Sequence, residues 1–177
     1  QTMNSGMNDP AQVDVMVVYT NAARLWASSN EGNINNTIAS AMAICNLAST
    51  NSDLGITYVL AHSEEIVYTE TGNSDTDLTN LQTNGDGIMD NVHTLRDQYA
   101  ADVVVLLTVT DDVGGLGYLL SQADGDEGHA FSISRVQQAG GTSTTIHEIG
   151  HNMGAGHHKD QKSQPGPGLF SYSAGWR

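Results

Sequence analysis

Three apolar runs of strand length constrain the fold most: VDVMVVY (Val13 to Tyr19), ITYVLAH (Ile56 to His62) and VVVLLTV (Val103 to Val109). They are continuous rather than alternating, the pattern of strands buried on both faces. Between the first two, the apolar residues of Glu31 to Thr50 fall at helical spacing. Between the second and third, Ile88, Val92, Leu95 and Tyr99 recur at three- and four-residue steps. Strand, helix, strand, helix, strand predicts an α/β chain with a parallel sheet and right-handed crossovers. After Val109 the pattern changes. Glycines interrupt DDVGGLGYLL, predicting a short edge strand near Leu116 to Leu120, and the partly alternating AFSISRV predicts another strand over Ala130 to Val136. With no internal repeat and no linker, residues 1–177 read as one domain, long enough to bury a core without staples.

Charge excludes two classes of partner. Twenty acidic residues against six basic ones give a net charge of -14, which repels nucleic acid and anionic membrane surfaces. No run of about 18 apolar residues offers a membrane span, and QTMNSGMNDP lacks the charged and apolar regions of a signal peptide. A leader and pro-segment removed before Gln1 are compatible with that. The single cysteine, Cys45, shares a helical face with Ile38, Ala41 and Met42, which predicts a small buried apolar group rather than a nucleophile.

Two acidic stretches invite a calcium reading. In the first, Asn73, Asp75 and Asp77 have loop spacing, but Leu78 replaces the turning glycine and Asn84 the bidentate glutamate. In the second, Asp124, Gly125, Asp126 and Glu127 offer carboxylates for Ca2+, while a solvated acidic turn is the commoner fate of such a run.

The chemistry concentrates in TIHEIGHNMGAGHHKD (Thr145 to Asp160), which holds four of the seven histidines. Gly140 and Gly141 break the preceding structure, and Thr142 or Ser143 can cap a helix running to Met153. Ile146, Ile149 and Met153 then form an apolar stripe against the sheet. His147 and His151, four residues apart, leave that stripe one turn above the other and can grip one metal ion. Gly154 can take the left-handed conformation that ends a helix and returns His157 toward the same ion. Three imidazoles with one open position make a catalytic zinc site. Glu148 can accept a proton from a zinc-polarised water and pass it to the leaving amine.

At these residues the sequence resembles the metzincin zinc endopeptidases, whose pattern HExxHxxGxxH it carries without a gap. The resemblance extends to bacterial reprolysin-like proteases, particularly the peptidyl-Asp metalloendopeptidase group, through VDVMVVYT, GDGIMDNVHTLRDQYAADVVVLL, GLGYL, HEIGHNMG and SYSAGWR in that order. It implies a mixed five-stranded sheet with an antiparallel edge strand at the rim of the cleft, two long helices and the active-site helix. It also implies secretion as a pro-enzyme. One position departs from the pattern: His158 stands where Asp usually follows the third histidine, a spare histidine beside the ligands.

The function expected is a secreted zinc endopeptidase acting on protein or peptide substrates, whose backbones pair as an added strand along Gly115, Leu116, Gly117, Tyr118 and Leu119 to Leu120. The resemblance also suggests cleavage beside acidic residues. That requires a cation, and Arg135 or Arg177 are the candidates, with Lys159 and Lys162 the other cations from Arg135 onward. The alternative is an inactive zinc-binding module, against which the retention of Glu148 argues. Metzincins place a methionine turn beneath the histidines, downstream of the third. Here the last methionine is Met153, which predicts an N-terminal subdomain up to about 154 and, over 155–177, the start of a truncated C-terminal one. A cleaved C-terminal fragment or the chain's own pro-segment is then an expected partner, and apolar surface beneath the helix is expected to be exposed.

Overall fold

The computed structural model describes residues 11–162 and 165–175. In chain order its elements are β1 (Ala11–Tyr19), α1 (Asn21–Asn30), α2 (Ile34–Asn51), β2 (Ile56–Glu65), α3 (Ser74–Gln82), α4 (Asp90–Tyr99), β3 (Val103–Thr108), β4 (Gly115–Gly117), β5 (Phe131–Arg135), α5 (Val136–Ala139) and α6 (Thr144–Asn152), with a 3-10 turn at Glu127–His129. The five strands form one sheet in the order β2-β1-β3-β5-β4. β2, β1, β3 and β5 run parallel, and β4 closes one edge antiparallel to β5. The expected mixed α/β sheet with an antiparallel edge strand is therefore the observed one.

Continuous apolar strands are explained by a core on each face. Val15, Val17, Val103, Val105 and Leu107 pack with Ala23 and Ala27 of α1, Ile34, Ile38, Met42 and Cys45 of α2, and Ile149 of α6. The alternate residues Met16, Val18, Val104, Leu106, Phe131 and Ile133 pack with Leu78 and Leu81 of α3, with Val92 of α4 and with Met89 just before it. Cys45 is fully buried, as its helical face predicts, and burial pushes its thiol up to about 12.

The second crossover helix starts later than its apolar spacing suggests. Met89 adopts a left-handed φ of 56°, and the Asp90 carboxylate accepts from the backbone N–H groups of Gly85 and Gly87. Met89 consequently enters the core, while Ile88 and Tyr99 are exposed. The Asn73 to Asp77 stretch is the start of α3, not an ion loop. Asn73 caps the helix through the N–H of Thr76, and buried Asp77 accepts from Tyr68 and Thr71.

The carboxyl ends of β1 and β3 are tied together by Glu70. Its oxygens accept from the Thr20 hydroxyl (2.6 Å), from the N–H groups of Val109 (3.0 Å) and Thr110 (2.9 Å), and from the Thr110 hydroxyl (2.8 Å). Bonds to a charged acceptor are the stronger kind, and losing the acceptor strands donors that are already sheltered from water. Glu70→Ala is therefore expected to cost about 2–3 kcal/mol in urea denaturation. A loss below about 0.5 kcal/mol would show that water replaces the carboxylate freely.

Candidate metal centre and cleft

α6 presents the site. Its N-terminus is set by Thr142, whose hydroxyl accepts from the N–H of Thr144, rather than by Ser143, which makes no side-chain cap. Ile149 is completely buried and Ile146 packs against the same core, so this part of the stripe faces the sheet as expected. Met153 does not: it is 37% exposed, with the Tyr58 hydroxyl directed at its sulfur. Within the stripe, the exposure expected beneath the helix is confined to this residue.

The helix ends at Gly154, whose φ is +89° and whose missing side chain matters twice. A Cβ there would be strained by the backbone and would meet the Leu169 Cβ at 2.9 Å. Past this turn, Gly156 pairs with Ala174: the Gly156 N–H donates to Ser173 O and the Gly175 N–H to Gly156 O. Ser173, Ala174 and Gly175 of the SYSAGWR stretch thus hold the loop that carries His157.

That loop brings the three predicted histidines together. The Nε2 atoms of His147, His151 and His157 are mutually 3.1 Å apart. Among the described residues they are the one group of three or more histidine, cysteine or acidic side chains whose ligand atoms converge. The His151 Nδ1–H donates to the Ala155 carbonyl at 2.7 Å, which leaves the Nε2 lone pair facing its two neighbours. Burial, and then the neighbouring imidazoles, hold His147 below its ordinary pKa; burial does the same for His151. Neutral imidazole is the metal-binding form.

This donor set fits zinc. A tetrahedron with 3.1 Å edges has its centre about 1.9 Å from each corner, close to the roughly 2.0–2.1 Å of a zinc–imidazole bond. The fourth corner is left to solvent or substrate, and His147 is itself exposed. Glu148 lies against Gly115 of β4 and lines one cavity together with His147. It is only 5% exposed, and burial raises its carboxyl to about 7; a cation held nearby pulls that value back down.

Two cavities flank the triad along β4. One of about 400 Å³ is lined by Leu78, Leu116, Gly117, Tyr118, Leu119, His151 and His157, with Pro165, Pro167 and Asp75. Another of about 420 Å³ is lined by Gly114, Gly115, Thr142 to Thr144, His147 and Glu148. Every predicted cleft residue from Gly115 to Leu119 therefore lies beside the site. Arg135 does not line either cavity. By alternation it shares the α3 side of β5 with Phe131 and Ile133, and its Nε is buried without a hydrogen-bond partner. Arg177 falls outside the described residues.

The second acidic run gives calcium no support. The Asp126 carboxylate accepts from Gly128 N–H and Gln122 and lies 2.6 Å from His129 Nδ1, so it caps the 3-10 turn. The spare His158 is also engaged locally. Its Nδ1 accepts from the N–H of Asp160, closing a turn that an aspartate could close the same way. Sequence reading missed Asn152, buried at the end of α6. Its Nδ2 donates to the carbonyls of Tyr118, His129 and Phe131, all at 3.0 Å, fastening the helix to the chain leaving β4 and entering β5.

Fold, triad and buried carboxylate define a metallopeptidase architecture, and comparison with known proteins gives the family. Residues 9–175 match the Reprolysin_5 model of metallo-peptidase family M12, and the chain belongs to that family. It is 39% identical over 168 residues to a peptidyl-Asp metalloendopeptidase of Stenotrophomonas maltophilia (strain R551-3) and 36% identical to that of Xanthomonas campestris pv. campestris. In both cases the match takes in 95% of this chain but 38% of the relative, so the chain spans about two-fifths of their length. Metalloproteinase-II from Bacteroides fragilis shares the fold, with a TM-score of 0.54 and 18% identity over 88% of this chain and 46% of that one.

Proposed function

We propose that this chain is the catalytic unit of a zinc endopeptidase, working outside the cell. The observation that carries the reading is the convergence of three Nε2 atoms at 3.1 Å beside the buried Glu148 carboxylate. His147, His151 and His157 would hold the ion, which supplies Lewis acidity that polarises a carbonyl and acidifies water. A Glu148 carboxylate oxygen takes one proton from the attacking water and delivers it to the amine nitrogen as the C–N bond breaks.

Substrate is bound by β4. The N–H of Arg135 bonds to Gly114 O and that of Tyr118 to Phe131 O, so Gly115 and Gly117 occupy the alternate, non-bonded pairs. Their own N–H and C=O groups point to the open edge, where an extended peptide can add as a strand. An edge open along its length suits cleavage within a chain.

Two preferences are in competition. Cleavage beside acidic residues is supported by the relatives' printed names. Cleavage beside apolar residues is supported by the 400 Å³ cavity, where Asp75 is the sole aspartate, glutamate, lysine or arginine in an otherwise largely apolar wall. Mass spectrometry of a denatured-protein digest, run with zinc and with a chelator, tests both. We expect zinc-dependent internal cleavage, with the residue next to the cut deciding between the preferences. A digest indifferent to zinc and chelator would remove the endopeptidase reading.

A further inference from the structure

We propose that Gly115 and Gly117 are positioning residues for Glu148: β4 has no side chains on its α6 face so that the helix can lie close enough to hold the carboxylate against the strand that substrate joins. The proposal rests on Glu148 being the base, and it assigns the two glycines a role separate from pairing with substrate.

The geometry is steric. A Cβ built on Gly115 would fall 2.6 Å from Glu148 Oε1, 2.7 Å from its Cγ and 2.9 Å from its Cδ. One on Gly117 would fall 2.8 Å from the Glu148 carbonyl oxygen. Neither position needs glycine for its backbone, since neither has a positive φ. What excludes a side chain is the closeness of one residue of α6, and that residue is Glu148 in both cases. The strand beneath continues the pattern. Gly115 pairs with Ser134 and Gly117 with Ser132, both fully buried, whereas Leu116 pairs with Ile133 on the other face. The edge of the sheet is therefore small on the helix side and large on the α3 side. A van der Waals floor of this kind fixes the height of α6 over the sheet, and with it where the Glu148 carboxylate stands against β4 and where His147 and His151 stand relative to His157 on its separate loop.

The two sites differ in what must yield. At Gly115 the obstacle is the Glu148 side chain from Cγ outward, so an alanine displaces that side chain and its carboxylate. At Gly117 it is backbone, so an alanine displaces the helix with its two histidines. A 1 Å misplacement of a catalytic group can cost on the order of a hundredfold.

The test is a pair of double-mutant cycles on zinc-loaded and zinc-free protein. Gly115→Ala should lower the melting temperature in the wild-type background and have little effect in Glu148→Ala, where the atoms it meets are gone. This readout needs no peptidase activity, so it stands or falls independently of the proposed function. With a peptide taken from the digest, Gly115→Ala should lower kcat at least about tenfold, leave KM within about threefold and leave zinc affinity within about threefold. Gly117→Ala should weaken zinc binding as well. Equal melting losses for Gly115→Ala in both backgrounds would overturn the proposal. So would a raised KM with kcat unchanged, which would make Gly115 a substrate contact alone.

Discussion

Glu148→Gln keeps its zinc and loses hydrolysis, with turnover falling by about 10²–10⁴-fold, the range a general base contributes. Glutamine matches glutamate in shape, so the contact with Gly115 and Gly117 persists. The neutral amide is also at ease in a site where burial already opposes the charge. Its oxygen cannot take a proton from attacking water under ordinary conditions, and that is the single function removed. None of the three converging nitrogens belongs to this residue, so metal content by atomic absorption should match wild type. Zinc retained with activity retained would move the proton transfer to another group. Zinc lost together with activity would make Glu148 a ligand.

The difference between what the sequence announced and what it concealed follows from range. The triad was legible because two ligands lie one turn apart on α6 and the third follows a glycine that must reverse the chain; spacing alone carries that geometry. The buried strands were legible because a run apolar on both faces has few other fates. By contrast α1 and α3 are polar segments that each contribute two buried apolar side chains, Ala23 and Ala27 in one and Leu78 and Leu81 in the other, too few to mark a period. Ile88 was indistinguishable in sequence from a core residue until the left-handed Met89 delayed α4 and took its place. Glu70 and Asn152 act across 39 and 34 residues of chain and no local pattern marks them. Sequence alone marks the GLG of β4 as a strand for substrate to pair with. Its second face, against Glu148, exists only once helix and sheet are packed.

His157→Ala should weaken zinc binding by more than about 100-fold and leave the metal-free fold nearly unchanged. The magnitude follows from comparison. Removing a partner of a ligand typically costs about 10–100-fold, and removing the ligand itself must exceed that, since two imidazoles then bear the ion with water at two corners. The fold is expected to survive because the chain that carries His157 is held by its backbone. Gly156 pairs with Ala174 through bonds to Ser173 and Gly175, and Gly154 makes the turn, whatever ring follows. The metal-free melting temperature should therefore move by no more than a few degrees, while zinc's stabilising increment collapses, because a ligand stabilises only in proportion to its binding to the folded state. The adjacent His158 gives the experiment its contrast. Its Nδ1 already receives the Asp160 N–H and so is held in the local turn, and His158→Ala should leave zinc affinity near wild type. If the two variants exchanged these outcomes, with His158→Ala losing the metal and His157→Ala keeping it, the loop would have to deliver the other imidazole, and the 3.1 Å triangle would not be the metal site.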